Sequence, residues 1–328
     1  MKAIKPLACI AWLLALVMLQ TGGCTQKEQA TGPSPLESLA ASNSSNDTIW
    51  NKMKERLRGD QKALPQDRTE ALGDAAVQTG DYESSLLDFL SILRKDPERY
   101  DLHYKVAVLF LLNGQWPAAK QELALVLVHR PEMLQAHEAM GLVHLQEKKY
   151  PLAIDEFQTV LAQDPQRVNS LHLLGVAYLE MGQPGKAVVQ LKRVLAVDPR
   201  HVSSIPALGQ AYIDLKDYRQ AIACLQQGLA LDPKNEKLNY QMGMALAAEK
   251  CYDEAMDAFM KAGDEAQAYN NIGVHYFVAG QYEEAAKCFQ RAIELRPSFY
   301  EEAKTNLQRA LEKLQQLRQG EAEASPPS

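Results

Sequence analysis

Residues 174–199, LGVAYLEMGQPGKAVVQLKRVLAVDP, and residues 208–233, LGQAYIDLKDYRQAIACLQQGLALDP, carry one pattern displaced by 34 positions. Working outward, Pro97, Pro131, Pro165, Pro199 and Pro233 follow one another at that same interval of 34. Four equal intervals in a row do not arise from composition. Each proline closes an apolar-periodic run, because its ring restricts the preceding residue and it has no N–H to continue a helical ladder. Counting each unit from 31 residues before its proline, the seventh and eighth places hold Leu72-Gly73, Met140-Gly141, Leu174-Gly175, Leu208-Gly209 and Ile272-Gly273. Small residues there let two helices cross closely. The eleventh place holds Phe110, Tyr178, Tyr212 or Tyr276, and the twentieth holds Ala119, Ala153, Ala187, Ala221, Ala255 or Ala285. At the twenty-fourth stand Phe89, Leu123, Phe157, Leu191, Leu225, Phe259 and Phe289. With 46% hydrophobic, 23% charged and 7% aromatic residues, the composition predicts a folded, helical chain and argues against a β-sandwich or barrel.

This pattern resembles the tetratricopeptide repeat, a helix-turn-helix of about 34 residues with Leu-Gly, Tyr, Ala, Phe and Pro at those places. The resemblance covers about residues 66–299 and implies an all-α superhelical solenoid of about seven units. They start near Gln66, Tyr100, Leu134, Val168, Val202, Glu236 and Ala266, the first and sixth being the least regular. The sixth lacks its closing proline, and Pro233 to Pro297 spans 64 residues, so a four-residue deletion falls at KAGDEAQAYNN and predicts a shorter second helix. Residues 300–318 read as a capping helix with Ala303, Leu307, Ala310, Leu311 and Leu314 inward, and 319–328 as a frayed tail.

The N-terminal segment reads differently. Lys2 and Lys5 precede the apolar run PLACIAWLLALVMLQ, which gives way to the small and polar T-G-G-C, the plan of a secretory signal peptide over residues 1–23. Gly22-Gly23-Cys24 resembles the lipobox of bacterial lipoproteins, with Thr21 where that pattern has Leu. The resemblance implies acylation of Cys24, membrane attachment through it and, with Thr25 rather than Asp following, an outer-membrane address facing the periplasm. Residues 24–65 are rich in Ser, Thr, Asn, Gln and Pro and predict a flexible tether. Within it DTIWNKMKERLRG predicts a short amphipathic helix that docks on the first repeat, the preferred reading, or touches the bilayer surface. Loss of residues 1–23, which hold two lysines and no acid, takes the formal net charge from −6 to −8, so no broad attraction to nucleic acid is expected.

In the repeat family the first helix of each hairpin lines the concave face with its second, fifth, ninth, twelfth and thirteenth places. Carried over, these give Tyr104, Val108, Leu111 and Leu112, then Leu142 and Leu145, then Val176 and Leu179. Further along they give Ile213, Tyr240 and Met244, and finally Asn270, Val274, Phe277 and Val278. As a set they predict an apolar groove suited to an amphipathic helix or extended peptide. The Lys and Asn clamp of chaperone-binding relatives is absent, since its places read Tyr104 and Val108, Glu138 and Leu142, His172 and Val176, Pro206 and Gln210.

Residues that carry chemistry are scattered. The histidines form no HExxH and no cluster at metal spacing, and there is no G-x-S-x-G, P-loop or GxGxxG. Cys224, Cys251 and Cys288, left after loss of Cys9 and acylation of Cys24, are expected as buried free thiols. No cofactor, metal or small-molecule substrate is expected, and no catalytic activity; the remote alternative is a hydrolytic enzyme with chemistry supplied by His137 and Glu138. The overall plan is similar to the repeat lipoproteins of pilus and secretion machines, particularly the TadD-like assembly factors of Flp-type pili. That resemblance implies an exported, lipid-anchored scaffold for a protein partner in the bacterial cell envelope; an adaptor for cell-wall enzymes or proteases is the alternative.

Overall fold

The structure, a computed structural model, describes residues 66–296 and 301–324. The signal segment, Cys24 and the tether with its amphipathic stretch lie outside the described residues. Fifteen α-helices, and no strand, occupy the described residues. They are α1 (Gln66–Thr79), α2 (Tyr82–Leu93), α3 (Tyr100–Leu112), α4 (Trp116–His129), α5 (Leu134–Gln146), α6 (Tyr150–Gln163), α7 (Val168–Glu180) and α8 (Pro184–Val197). After a 3-10 turn at Val202–Ser204 come α9 (Ile205–Asp214), α10 (Tyr218–Leu231), α11 (Glu236–Ala248), α12 (Tyr252–Ala262), α13 (Glu265–Val278), α14 (Tyr282–Leu295) and α15 (Glu301–Ala324). The chain divides into two compact units, Met1–Ala177 and Tyr178–Ser328, with the division inside α7. In the first unit each helix from α1 to α6 packs on the next, and the same holds from α8 to α15 in the second. In the second unit α9, α11, α13 and α15, the helices that open successive hairpins, also touch one another in a row.

The hairpin is built on the close approach read from the sequence. A Cβ placed on Gly73 would lie 2.6 Å from the Phe89 ring, and on Gly141 2.5 Å from Phe157. The same glycine and partner meet at Gly209 and Leu225, Gly243 and Phe259, and Gly273 and Phe289. Phe89, Phe157, Phe259 and Phe289 are fully buried, so each ring fills the space the missing side chain leaves. The turn between the two helices is equally regular. Its fifteenth place has a positive φ in all seven units, at Gly80, Gly114, Lys148, Gly182, Lys216, Lys250 and Gly280. There the chain turns out of the helix with paired hydrogen bonds such as Gly114 N to Leu111 O (3.0 Å) and Gln115 N to Phe110 O (2.8 Å).

Second helices open on a proline in the first turn (Pro117, Pro151, Pro184) or on a side-chain cap, as where Asp217 accepts from Gln220 N at 3.3 Å. The deletion has its expected consequence, since α12 has 11 residues where α10 and α14 have 14. The last helix departs from the sequence reading at two points. It continues to Ala324, beyond residue 318, and Leu311, expected inward, is 52% exposed while Ala303 and Ala310 are buried. Alanines let α15 sit close to α14, and the larger leucine falls outside that contact.

Candidate functional site

In the first unit α3 is buried all round, from Leu102 to Leu111. Tyr104, Val108 and Leu111, expected to line a groove, are 2%, 0% and 0% exposed and belong to the core formed with α2, α4 and α5; only Leu112 keeps partial exposure. Burial pushes the Tyr104 phenol well above its usual value. The apolar character of these places therefore serves packing here, a correction to the groove as read. Leu142 is buried, and Leu145 and Val176 are half-buried.

Polar side chains stitch neighbouring hairpins of this unit. Lys105 Nζ donates to Asp74 Oδ1 (2.7 Å) and Glu70 Oε1 (3.1 Å), and Arg99 Nη2 donates to Glu70 Oε2 (2.8 Å). Burial works against the Glu70 carboxylate, yet these two cations hold it below the usual value. Arg167 repeats the Arg99 contact at the same 29-residue spacing, donating to Glu138 Oε2 at 2.7 Å while Ser170 donates to Glu138 Oε1 at 2.5 Å. His103 Nδ1 lies 2.6 Å from Glu122 Oε2 and Nε2 lies 3.0 Å from the Pro97 carbonyl. One repeat on, His137 makes the same pair of contacts with Glu156 (2.6 Å) and Pro131 (2.9 Å). His137 and Glu138, the pair a hydrolase would need, are thus engaged by different structural partners. His137 joins the two helices of its own hairpin, and Glu138 joins α5 to Arg167 and to Ser170 of α7.

The second unit leaves more of its row open. Leu179, Ile213 and Met244 are half-buried, and Tyr240 is 43% exposed. Asn270 is buried and accepts from Asn306 Nδ2 of α15 at 3.1 Å, so it is a link between helices and not a free peptide contact. Beyond it Val274, Phe277 and Val278 of α13 come together with Phe289 of α14 and with Asn306 and Arg309 of α15 around a recess of about 190 Å³. Val274 is 38% exposed and Val278 81%. The Arg309 guanidinium stands over the Phe277 ring, 5.8 Å from its centroid. Of the fifteen groove residues read from sequence, these three are the ones gathered into an open hollow. Asn306 and Arg309 were missed; the available signal was their spacing of three on α15, off the Ala303 and Ala310 row.

Of the cysteines, Cys224 is buried and Cys288 partly so, and burial pushes both thiols up to about 11. Cys251, expected to be buried, is exposed at the start of α12. Among the described residues no group of His, Cys, Asp or Glu has the arrangement to hold a metal, and no helix is long and apolar enough to cross a membrane.

Comparison with known proteins agrees with this construction. Tetratricopeptide repeat models match residues 70–127, 113–168 and 266–299, a further TPR repeat model matches 209–249, and a model of anaphase-promoting complex, cyclosome, subunit 3 matches 157–228. No match was found among curated proteins. A tetratricopeptide repeat protein from Parabacteroides merdae is similar in structure with a TM-score of 0.54 and 16% identity, over 75% of this chain and 98% of that one. PilF of Pseudomonas aeruginosa gives a TM-score of 0.49 at 22% identity (65% and 96% of the two chains), and MamA of Desulfovibrio magneticus 0.45 at 20% (50% and 96%). The Parabacteroides likeness supports the fold alone. Seven helical hairpins, each with its left-handed turn and five with the glycine crossing pair, together with repeat models matching along the chain, make this a tetratricopeptide repeat protein.

Proposed function

We propose that the chain is an exported, lipid-anchored scaffold that holds a protein partner on the first helices of its second unit, in assembly of a pilus or secretion complex of the bacterial envelope. The observation that carries the binding role is the open apolar recess at Val274, Phe277 and Val278. Apolar side chains left in water beside a polar rim are a standing invitation to a partner's apolar side chain. Export and anchoring rest on the N-terminal plan, Lys2 and Lys5, the apolar run and Gly22-Gly23-Cys24. The pilus or secretion assignment rests on that plan joined to a polar tether and tandem repeats.

The test uses the full-length chain in its own membranes with a photo-cross-linking residue at position 278, and mass spectrometry of what is captured. Recovery of pilus or secretion components is the expected result. Capture of cell-wall enzymes would replace this reading by the adaptor, and no specific capture would overturn the binding role. Release of the chain from membranes by Cys24→Ala checks the anchor independently.

A further inference from the structure

Resting on that reading and deepening it, we propose that the recess selects a partner helix presenting one apolar side chain flanked by two acidic side chains a turn apart. Helix α15 carries four basic residues, Lys304, Arg309, Lys313 and Arg318. Of its basic residues, Lys304 pairs with Glu301 (2.9 Å) and Arg318 with Glu283 (3.6 Å). Arg309 and Lys313 have no acidic partner among the described residues. Arg309 lies against the Phe277 ring and Lys313 donates to Gln316 Oε1 at 3.1 Å. Four residues apart on one helix, the two cations share a face, Arg309 lining the recess and Lys313 one turn beyond it. On a chain of net charge −6 they form a local basic pair that runs from the recess along α15.

The recess, about 190 Å³ with Phe289 as its floor, has room for a side chain and not for a helix, so a partner inserts one residue while its body stays outside. Two cations one turn apart call for two carboxylates one turn apart on that body. A terminal carboxylate supplies a single charge and leaves one cation unmatched. That arithmetic favours an acidic helical segment over a free C-terminus, with charge setting orientation and the apolar anchor supplying affinity.

The probe is a short fluorescein-labelled helix of Ala and Gln, amidated at its C-terminus, with one Leu and two Glu spaced by four on the same face. Full-length protein is expected to bind it, less tightly as salt rises. Val278→Glu, and separately the pair Arg309→Glu with Lys313→Glu, should each weaken binding about ten-fold, with circular dichroism unchanged because all three side chains are at the surface. The charge-reversed protein should recover binding to the same peptide carrying Lys for Glu. Equal binding of a free-acid peptide ending in Leu and lacking Glu overturns the proposal, as does indifference to charge reversal. If position 278 captures an envelope partner and charge reversal leaves that capture intact, this inference fails while the scaffold stands. If the peptide behaves as expected and membranes yield no partner, the specificity stands and the scaffold reading fails.

Discussion

The two units bury polar groups at the same places of the repeat and use opposite chemistry to do it. At the fourth place His103 and His137 reach a proline carbonyl and a glutamate of the second helix, Glu122 or Glu156. In the second unit the repeat that starts at Glu236 has Asn239 at the fourth place, which donates to the Pro233 carbonyl at 3.1 Å, and the glutamate's place is taken by the buried Ala258; the other repeats there have Ile205 and Tyr269. At the sixth place Lys105 meets two carboxylates, whereas Gln241 donates to the Pro206 carbonyl (2.9 Å) and Gln210 Oε1 (3.3 Å). The buried acidic and basic residues, His103, Lys105, Glu122, Glu138 and His144, all lie before residue 178, beside the neutral Ser85 and Ser170, and the buried polar residues after it, Ser204, Asn239, Gln241 and Asn270, are all non-ionisable. The repeat dictates where a polar group must bridge two helices; it leaves the charge free. An ionic bridge and an amide bridge differ most when one partner is taken away.

Removing Glu122 is therefore the largest break. Glu122→Ala leaves the 6% exposed His103 without its carboxylate partner and is expected to destabilise the α3 and α4 hairpin by roughly 3 kcal/mol. Asn239→Ala, which deletes amide bonds only, should cost about 1 kcal/mol in the α11 hairpin. Native-state hydrogen exchange on the full chain reads both locally, since a repeat contacts its neighbours and little else. The double change His103→Asn with Glu122→Ala rebuilds the second unit's version inside the first and should recover most of the loss. If it does not, the histidine is needed for its shape and the charge comparison is wrong.

Inserting charge where the amide version stands is the converse. Gln241→Lys sets an ammonium against the Pro206 carbonyl and Gln210 with no carboxylate facing it, and should cost about 1 to 3 kcal/mol. Adding Gln210→Glu supplies the counter-charge at the place Asp74 holds in the first unit and should restore protection of α11 in the same exchange experiment. A cost unchanged by the added carboxylate would sink the idea that the place tolerates either chemistry.

How much of this was legible depended on whether a residue type alone carries the constraint. The glycine at the eighth place and the large apolar residue at the twenty-fourth recur with the period, so both places were visible, whereas their pairing, as of Gly141 with Phe157, is seen only in the structure. The shortened α12 followed from counting residues. Which face of a first helix stays open was not legible, because Val108 and Val274 occupy the same ninth place and differ only in what lies across from them. The salt bridges were half legible: Glu70 with Arg99 and Glu138 with Arg167 recur at the same 29-residue spacing. A search for complementary charges that recur at one fixed spacing would have found them.

The turns offer a smaller test that cuts across both units. Lys148, Lys216 and Lys250 hold the positive φ that four glycines hold elsewhere, and a Cβ there costs about 1 to 2 kcal/mol. Part of that gain is lost to the greater freedom of glycine in the unfolded chain, so Lys→Gly at each site should stabilise its hairpin by roughly 0.5 to 1 kcal/mol. Lys148 lies in the first unit and the other two in the second, so equal gains in both would locate the units' difference in their buried polar groups and not in their turns.

The smallest effect concerns charge at the surface of the first unit. Glu147 Oε2 accepts from Lys120 Nζ at 2.7 Å across a hairpin boundary and lies 2.9 Å from Lys149 Nζ, and these hydrogen bonds hold its carboxyl down to about 2. A carboxyl lowered on folding adds stability that is present in full above its unfolded value of 4.5 and is lost as the pH falls through about 2. All three side chains are partly solvated, so the contribution is cut by screening to about 0.3 to 1 kcal/mol. Glu147→Gln should show that small deficit at neutral pH, converge with the parent chain between pH 4.5 and about 2, and lose the difference in high salt. Glu122→Ala should keep its deficit in high salt, because a buried pair is little screened. A salt response shared by the two would mean that the His103 joint is open to solvent, and with it would go the contrast between an ionic first unit and a neutral second.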